Sequence, residues 1–275
     1  MKQYKNATSL SVHITENCNM NCSHCYISKE NRKKVIDIPR AVEAIKKIDP
    51  EFIMFYGGEP LLYPQKIKEI INAFPEKNFA IHTNGTIYNE ELFDRVDILF
   101  VTVETFFYGR QNKYRKLNQY QWKIFNKILK NYKDKISITH NIYPKNNDLD
   151  FYKMVRLLGC KQNTHPIIID TDDFNLTKEE IEHLKTSDNL LLLPKLRVLE
   201  DGTITRDMRG IYNICNVSEW KEEYRNKQVP VSEKCVGCSQ KNKCGFSYMF
   251  PHFCKDIIDK NDNPFFCKVI KNIYE

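Results

Sequence analysis

Six short runs rich in apolar and β-branched residues recur through the first two-thirds of the chain, each followed by a segment of helical spacing, and this rhythm constrains the fold most. The runs are SLSVHIT (9–15), FIMFY (52–56), FAIHT (79–83), ILFVTV (98–103), ISITHNI (136–142) and PIIID (166–170). Several are nearly continuous in apolar or β-branched residues, as in strands covered on both faces. Between them, residues 38–48, 64–74, 88–95, 117–132, 148–158 and 177–187 carry apolar positions at helical intervals, and Thr177 with Glu180 makes a capping box. Strands that alternate with helices through right-handed crossovers predict an α/β fold. The sheet is parallel with helices outside, either open and doubly wound or curled into a full or partial barrel; periodicity alone does not choose.

The rhythm stops near residue 190. Beyond it, LRVLEDGTITRD sets Asp201-Gly202 between two short strand-like runs, the signal for a type I′ hairpin. We therefore expect one domain over 1–190 and a small cysteine-rich extension over 191–275. A chain of 275 residues, 41% of them hydrophobic, can fill a core, which argues against disorder, and the net charge of +7 is a mild basic lean. No run approaches eighteen apolar residues, and MKQYKNATSL has no apolar stretch of the signal-peptide kind. The expectation is a soluble, cytoplasmic protein that does not engage a membrane.

Ten cysteines in such a chain call for a reason. A reducing cytosol keeps thiols reduced, so metal or redox chemistry leads over a disulfide framework. Cys18, Cys22 and Cys25 lie just after the first strand as Cys-x3-Cys-x2-Cys, and Cys235, Cys238, Cys244, Cys254 and Cys267 crowd the end. Three thiolates can hold three irons of a four-iron cluster and leave the fourth iron open to a small molecule. The competing reading is a structural zinc with His24 or a distant residue as fourth ligand. Two further turns stand at strand ends. Tyr56-Gly57-Gly58-Glu59-Pro60 follows the second strand, where glycines let the backbone approach a ligand and Glu59 can accept from an amine, and Thr83-Asn84-Gly85 follows the third.

Taken together, in this order and at these strand ends, the three motifs resemble the radical S-adenosylmethionine (radical SAM) superfamily. The resemblance implies a partial (β/α)6 TIM-like barrel over residues 8–190, with the site at the C-terminal ends of the strands. Cys18, Cys22 and Cys25 match the ligands of a SAM-binding 4Fe-4S cluster, whose open iron is chelated by SAM. Gly57, Gly58 and Glu59 match the motif that receives the SAM amino group. His24 and Tyr26 match positions near the adenine, and Asn84 a polar residue near the ribose or methionine. Thr102 stands where relatives carry a ribose-contacting serine, and Arg115 matches an arginine near the SAM carboxylate. The usual Ser-x-Asp-Gly is here Thr102-Val103-Glu104-Thr105. The implied chemistry is reductive cleavage of SAM to a 5′-deoxyadenosyl radical that abstracts a hydrogen atom, with flavodoxin or ferredoxin as electron donor.

The tail is similar to the SPASM and twitch extensions of these enzymes, which carry auxiliary clusters; zinc is the competing reading of its spacing. Gly202 is followed by TITRDMRG, without the usual cysteine, and Tyr248 stands four places beyond Cys244. One auxiliary 4Fe-4S cluster is therefore expected, on Cys235, Cys238, Cys244 and Cys267, with Cys254 as an alternative fourth ligand. Cys215 has three readings: a buried structural thiol, an extra cluster ligand, or a catalytic hydrogen-atom donor. Cys160, in a helix-to-strand turn, reads as inert.

Residues 110–135 hold nine lysines and arginines against Asp134, interleaved with aromatics. Phe125, Ile128, Leu129 and Tyr132 recur at helical spacing, so the segment reads foremost as a helix with a solvated basic face rather than a nucleic-acid surface. The leading expectation is an oxidoreductase that matures a ribosomally synthesised peptide by a crosslink, thioether, epimerisation or oxidation. With only eight residues ahead of the first strand, a separate leader-binding protein is the expected partner. A radical dehydrogenase of an aminosugar or cyclitol is the alternative, and modification of nucleic acid ranks below both.

Overall fold

The computed structural model describes residues 8–22, 25, 27, 32–103, 117–142, 149–166, 196–206, 213–227, 233–239, 267 and 271. Its organising element is β1 (Ser9–Thr15), where polar and apolar residues alternate. Leu10, Val12 and Ile14 enter the main apolar core, and Ser9, Ser11, His13 and Thr15 point to the opposite face; all seven are buried. Parallel partners extend the sheet in the order β6-β5-β4-β3-β2-β1, through β2 (Phe52–Gly57), β3 (Asn78–Thr83), β4 (Ile98–Thr102), β5 (Ile136–Ile142) and β6 (Lys161–Pro166). This is the parallel α/β arrangement that the rhythm of the sequence predicts, and the partial barrel that the family resemblance implies.

Helices cover the face that carries Leu10. In α1 (Ile38–Ile48) the Asp37 side chain accepts from the Arg40 amide, Pro39 opens the first turn, and Lys46 and Lys47 stand in the last turn, where the helix dipole favours cations. The helix buries Ala41, Ala44, Ile45 and Ile48. After α2 (Pro64–Ala73) and α3 (Glu90–Arg95), α4 (Gln119–Tyr132) starts at an Asn118–Gln121 capping box. It buries Phe125, Ile128, Leu129 and Tyr132 and leaves Lys123, Lys127 and Lys130 exposed, which agrees with a solvated basic face. Helix α5 (Leu149–Leu158) precedes β6.

The other, inner face has a small apolar cluster of its own, made by Phe52, Met54, Ala80, Ile98 and Phe100. These lie in the first half or middle of β2, β3 and β4, so the inner face is plugged toward the strand N-termini. At full burial each large side chain contributes about 1.5–3 kcal/mol. Nearer the C-termini the inner residues turn polar and part-exposed, which sets the place of the site.

Two expectations are corrected. The sixth strand is Lys161–Pro166, earlier than the PIIID run, whose residues past 166 lie outside the described ones. Among the described residues it pairs on one side only, with β5, and an edge strand held through its backbone needs no apolar run. The turn at Asp201-Gly202 joins β7 (Leu196–Val198) to β8 (Thr203–Thr205), but is not type I′. Only Gly202 has positive φ, +83°, the Gly202 amide donates to the Leu199 carbonyl, and the Leu199 amide to that of Thr203. That is a type I turn closed by a glycine bulge. Strand β7 lies parallel on β1, so this hairpin and β9 (Asn213–Asn216) extend the same sheet. The expected boundary at 190, the helix over 177–187 and its cap lie outside the described residues.

A Cβ on Gly202 would meet Arg40 Cδ at 2.9 Å and Val217 Cγ1 at 3.2 Å. The arginine is flexible, so the left-handed backbone dominates the cost. Gly202→Ala is expected to cost about 1 kcal/mol and to lower the Tm by about 2–4 °C in a circular-dichroism melt; an unchanged Tm would mean that the turn relaxes freely.

Candidate active site

The loops after β1, β2 and β3 are locked to one another at the C-terminal edge of the sheet. The Gly58 amide donates to the Thr15 carbonyl at 2.7 Å and the Glu59 amide to the Asn17 carbonyl at 2.7 Å. A Cβ on Gly57, at φ +146°, would fall 2.1 Å from the Thr15 oxygen, and one on Gly58 2.3 Å from the Asn17 oxygen. The close approach these glycines permit is thus to the root of the cysteine loop, where the sequence suggested a ligand. Asn17 Nδ2 donates to the Tyr63 hydroxyl at 2.6 Å, a second tie that sequence reasoning missed.

Glu59 is 0% exposed. Its carboxylate accepts from the Leu61 amide at 3.1 Å, the Thr83 hydroxyl at 3.0 and 3.1 Å, and the Asn84 amide at 2.7 Å. It therefore spans the second and third loops. Asn84 carries the connection onward: its Nδ2 donates to Asn19 Oδ1 at 2.9 Å and approaches Cys18 Sγ at 3.6 Å, while its Oδ1 accepts from the Thr86 amide and hydroxyl.

Burial pushes the Cys18 thiol up, and the Glu59 carboxylate adds to this; the Met20 amide and Asn84 Nδ2, donating to the sulfur, work the other way and favour a thiolate. Cys22 is half-buried and Cys25 exposed, joined by a turn in which the Cys25 amide donates to the Cys22 carbonyl at 3.2 Å. All cysteines among the described residues are free thiols.

Cys18, Cys22 and Cys25 do not draw together to the spacing of a single metal ion. Among the described residues, the one group of three or more His, Cys, Asp or Glu side chains with ligand atoms within 4.8 Å of one another is His13, Glu16 and Glu200. A tetrahedral zinc at about 2.3 Å from each sulfur needs a closer set than that limit. Three thiols on one loop, spread more widely and with one exposed, fit a polynuclear cluster better than zinc.

Below the loops, the inner face presents a row of rings across four strands. His13 and Tyr56 have centroids 5.9 Å apart, Tyr56 and His82 4.9 Å, and His82 and Phe100 4.4 Å. The Arg197 guanidinium lies 5.5 Å from the Tyr56 ring centre. Thr102 ends β4, part-exposed. The two histidines were not singled out in the sequence; the polar alternation of SLSVHIT was the signal for His13.

Cys215 lies elsewhere. On β9, it pairs with Ile204 of β8 and packs, half-buried, against the main core on the helix-covered face. Burial, then Glu219, pushes its thiol up. These are the surroundings of a structural thiol, the first of its three readings. Cys160 follows α5, half-buried against the same core, its thiol pushed up by burial. Cys235 and Cys238 flank a short turn, the Cys238 amide donating to the Cys235 carbonyl at 3.2 Å, and Cys267 is half-buried. His24, Tyr26, Glu104, Arg115, Cys244 and Cys254 lie outside the described residues.

Residues 12–158, more than half of the chain, match the family described as the Radical SAM superfamily. The protein belongs to that superfamily. Membership implies SAM and a 4Fe-4S cluster, which the thiols of Cys18, Cys22 and Cys25 would hold. An uncharacterized protein of Methanocaldococcus jannaschii is 30% identical over 103 residues, 34% of this chain and 36% of that protein. An S-adenosylmethionine-dependent nucleotide dehydratase of a Fibrobacter species is 34% identical over 91 residues, 28% of this chain and 27% of that one. The chain thus spans about a third or less of these relatives' lengths. Among solved structures, anSMEcpe with bound AdoMet and the Cp18Cys peptide is similar with a TM-score of 0.64 and 13% identity, over 96% of this chain and 98% of that one. Streptococcus suis SuiB bound to the precursor peptide SuiA gives 0.58 and 11%, over 90% and 76%. At these identities the likeness establishes the fold. Among the described residues, no helix is long and apolar enough to cross a membrane.

Proposed function

We propose that this radical SAM enzyme is an oxidoreductase that modifies a ribosomally synthesised peptide. The observation that carries the reading is the interlocked rim of three loops above a polar and aromatic inner face, in a fold that resembles anSMEcpe over nearly the full length of both chains. Two of the similar folds were solved with peptides bound. When bound, the cluster and SAM supply a 5′-deoxyadenosyl radical, a one-electron abstractor of C–H hydrogen. Asn84 and Glu59 hold the cysteine loop against the strand ends, and Tyr56, His82 and Thr102 line the inner face on which a substrate segment would lie. Residues 191–275 form an extension with one auxiliary 4Fe-4S cluster on Cys235, Cys238, Cys244 and Cys267, Cys254 being the alternative ligand. Flavodoxin or ferredoxin would supply electrons, and a separate protein would present the peptide leader.

The test is isotope transfer. Reconstituted enzyme, SAM and dithionite are incubated with deuterated short peptides encoded beside the gene, and in parallel with deuterated nucleotides and aminosugars. Deuterium in 5′-deoxyadenosine from a peptide supports the reading; deuterium from a nucleotide or an aminosugar alone overturns it. The nucleotide arm is included because of the Fibrobacter relative.

A further inference from the structure

We propose that His13, Glu16 and Glu200 form a binding site for a divalent transition-metal ion, separate from the cysteine loop and from the tail cysteines. A ligand atom from each lies within 4.8 Å of the other two. His13 stands on the inner face of β1, Glu16 one residue past its end, and Glu200 in the turn between β7 and β8, brought alongside by the parallel pairing of β7 with β1. His13 is 3% exposed and Glu200 8%, so this is a buried group rather than a surface acidic patch.

The pairing among the three is incomplete in a way that points to a cation. His13 Nδ1 lies 2.7 Å from Glu200 Oε1. Nitrogen and oxygen at that spacing share a proton, and they are placed as two ligands of one ion that would displace it, the imidazole proton moving to Nε2. Glu16 Oε2 is buried and, among the described residues, has no hydrogen-bond partner, an acceptor left unsatisfied beside the pair. The two carboxylates, brought this close, also repel one another.

A bridging water would satisfy the Glu16 oxygen and leave the repulsion in place. A divalent ion satisfies that oxygen and offsets the charge of both carboxylates. One imidazole with two carboxylates suits zinc, manganese or iron(II), and three protein ligands leave coordination positions for water or an oxygen ligand. Glu16 is half-buried, which leaves a way in for the ion. Bound there, the ion would join β1 to a turn 187 residues away, cross-linking the barrel to the hairpin that begins the tail.

The probe is Mn2+, which thiolates bind weakly, so the cysteines compete little. Mn2+ binding to the cluster-reconstituted enzyme is followed by loss of the free-ion electron paramagnetic resonance signal. The wild type is expected to bind one Mn2+ per chain saturably, and its Tm to rise with Mn2+ concentration. Glu200→Gln, close to isosteric, and Glu16→Gln are each expected to weaken binding at least tenfold, with iron per chain unchanged as the control for folding; His13→Asn should do the same. No saturable Mn2+ binding by the wild type, or binding unchanged in both glutamine variants, overturns the site. Neither outcome depends on peptide modification, so the two proposals fail separately.

Discussion

Alanine at Cys18, Cys22 and Cys25 together is expected to abolish SAM cleavage and to lower the iron of the anaerobically reconstituted protein from about eight to about four per chain. The structure puts these thiols on one loop at the open end of the sheet, too widely spaced for a single ion and with Asn84 Nδ2 approaching Cys18 Sγ. Without them the loop loses all three of its thiols. The loop remains tied through Thr15, Asn17 and Tyr63, none of which is changed, so a circular-dichroism melt should show a folded protein. The iron that stays measures the tail. About four irons with matching sulfide support an auxiliary cluster on Cys235, Cys238, Cys244 and Cys267; no iron, with about one zinc, replaces it by a zinc site and removes the likeness to SPASM-type maturases from the functional reading. Iron unchanged at about eight would overturn the assignment of Cys18, Cys22 and Cys25 as ligands.

How far the sequence could be read depends on the range over which each residue acts. Strand β1 and helix α1 fall where their patterns predict because local periodicity and the Asp37 cap determine both ends. The sixth strand starts earlier than expected because KQNTHP offers no apolar run to find; its pairing with β5 is made through the backbone. The cysteine loop could be located from spacing because its three thiols are close in sequence. The function of the two glycines was half legible: their need for a bare Cα was plain, but the neighbour that imposes it, the backbone at Thr15 and Asn17, comes from another strand. The meeting of His13 with Glu200 was beyond reach, because it depends on β7 docking parallel to β1. The surroundings of Cys215 were out of reach for the same reason: which face of β9 it takes is decided by its pairing with Ile204.

Replacing Glu59 is expected to destabilise the protein before any cofactor is added. Its carboxylate sits at 0% exposure and receives the Leu61 amide, the Thr83 hydroxyl and the Asn84 amide. Glu59→Ala orphans all three buried donors, at about 3–5 kcal/mol in total. Glu59→Gln keeps the volume and one acceptor oxygen, but turns an amide nitrogen toward one of the donors; the loss is about 2–3 kcal/mol. Urea denaturation of the metal-free protein reads both. A side chain whose work was only to receive the SAM amino group would leave that stability unchanged and lower SAM affinity alone, and this result would overturn the account. The geometry favours the other order of cause: Glu59 fixes the Asn84 backbone, Asn84 reaches Asn19 and Cys18, and SAM binding falls because the loop that carries the cysteines is no longer held in place.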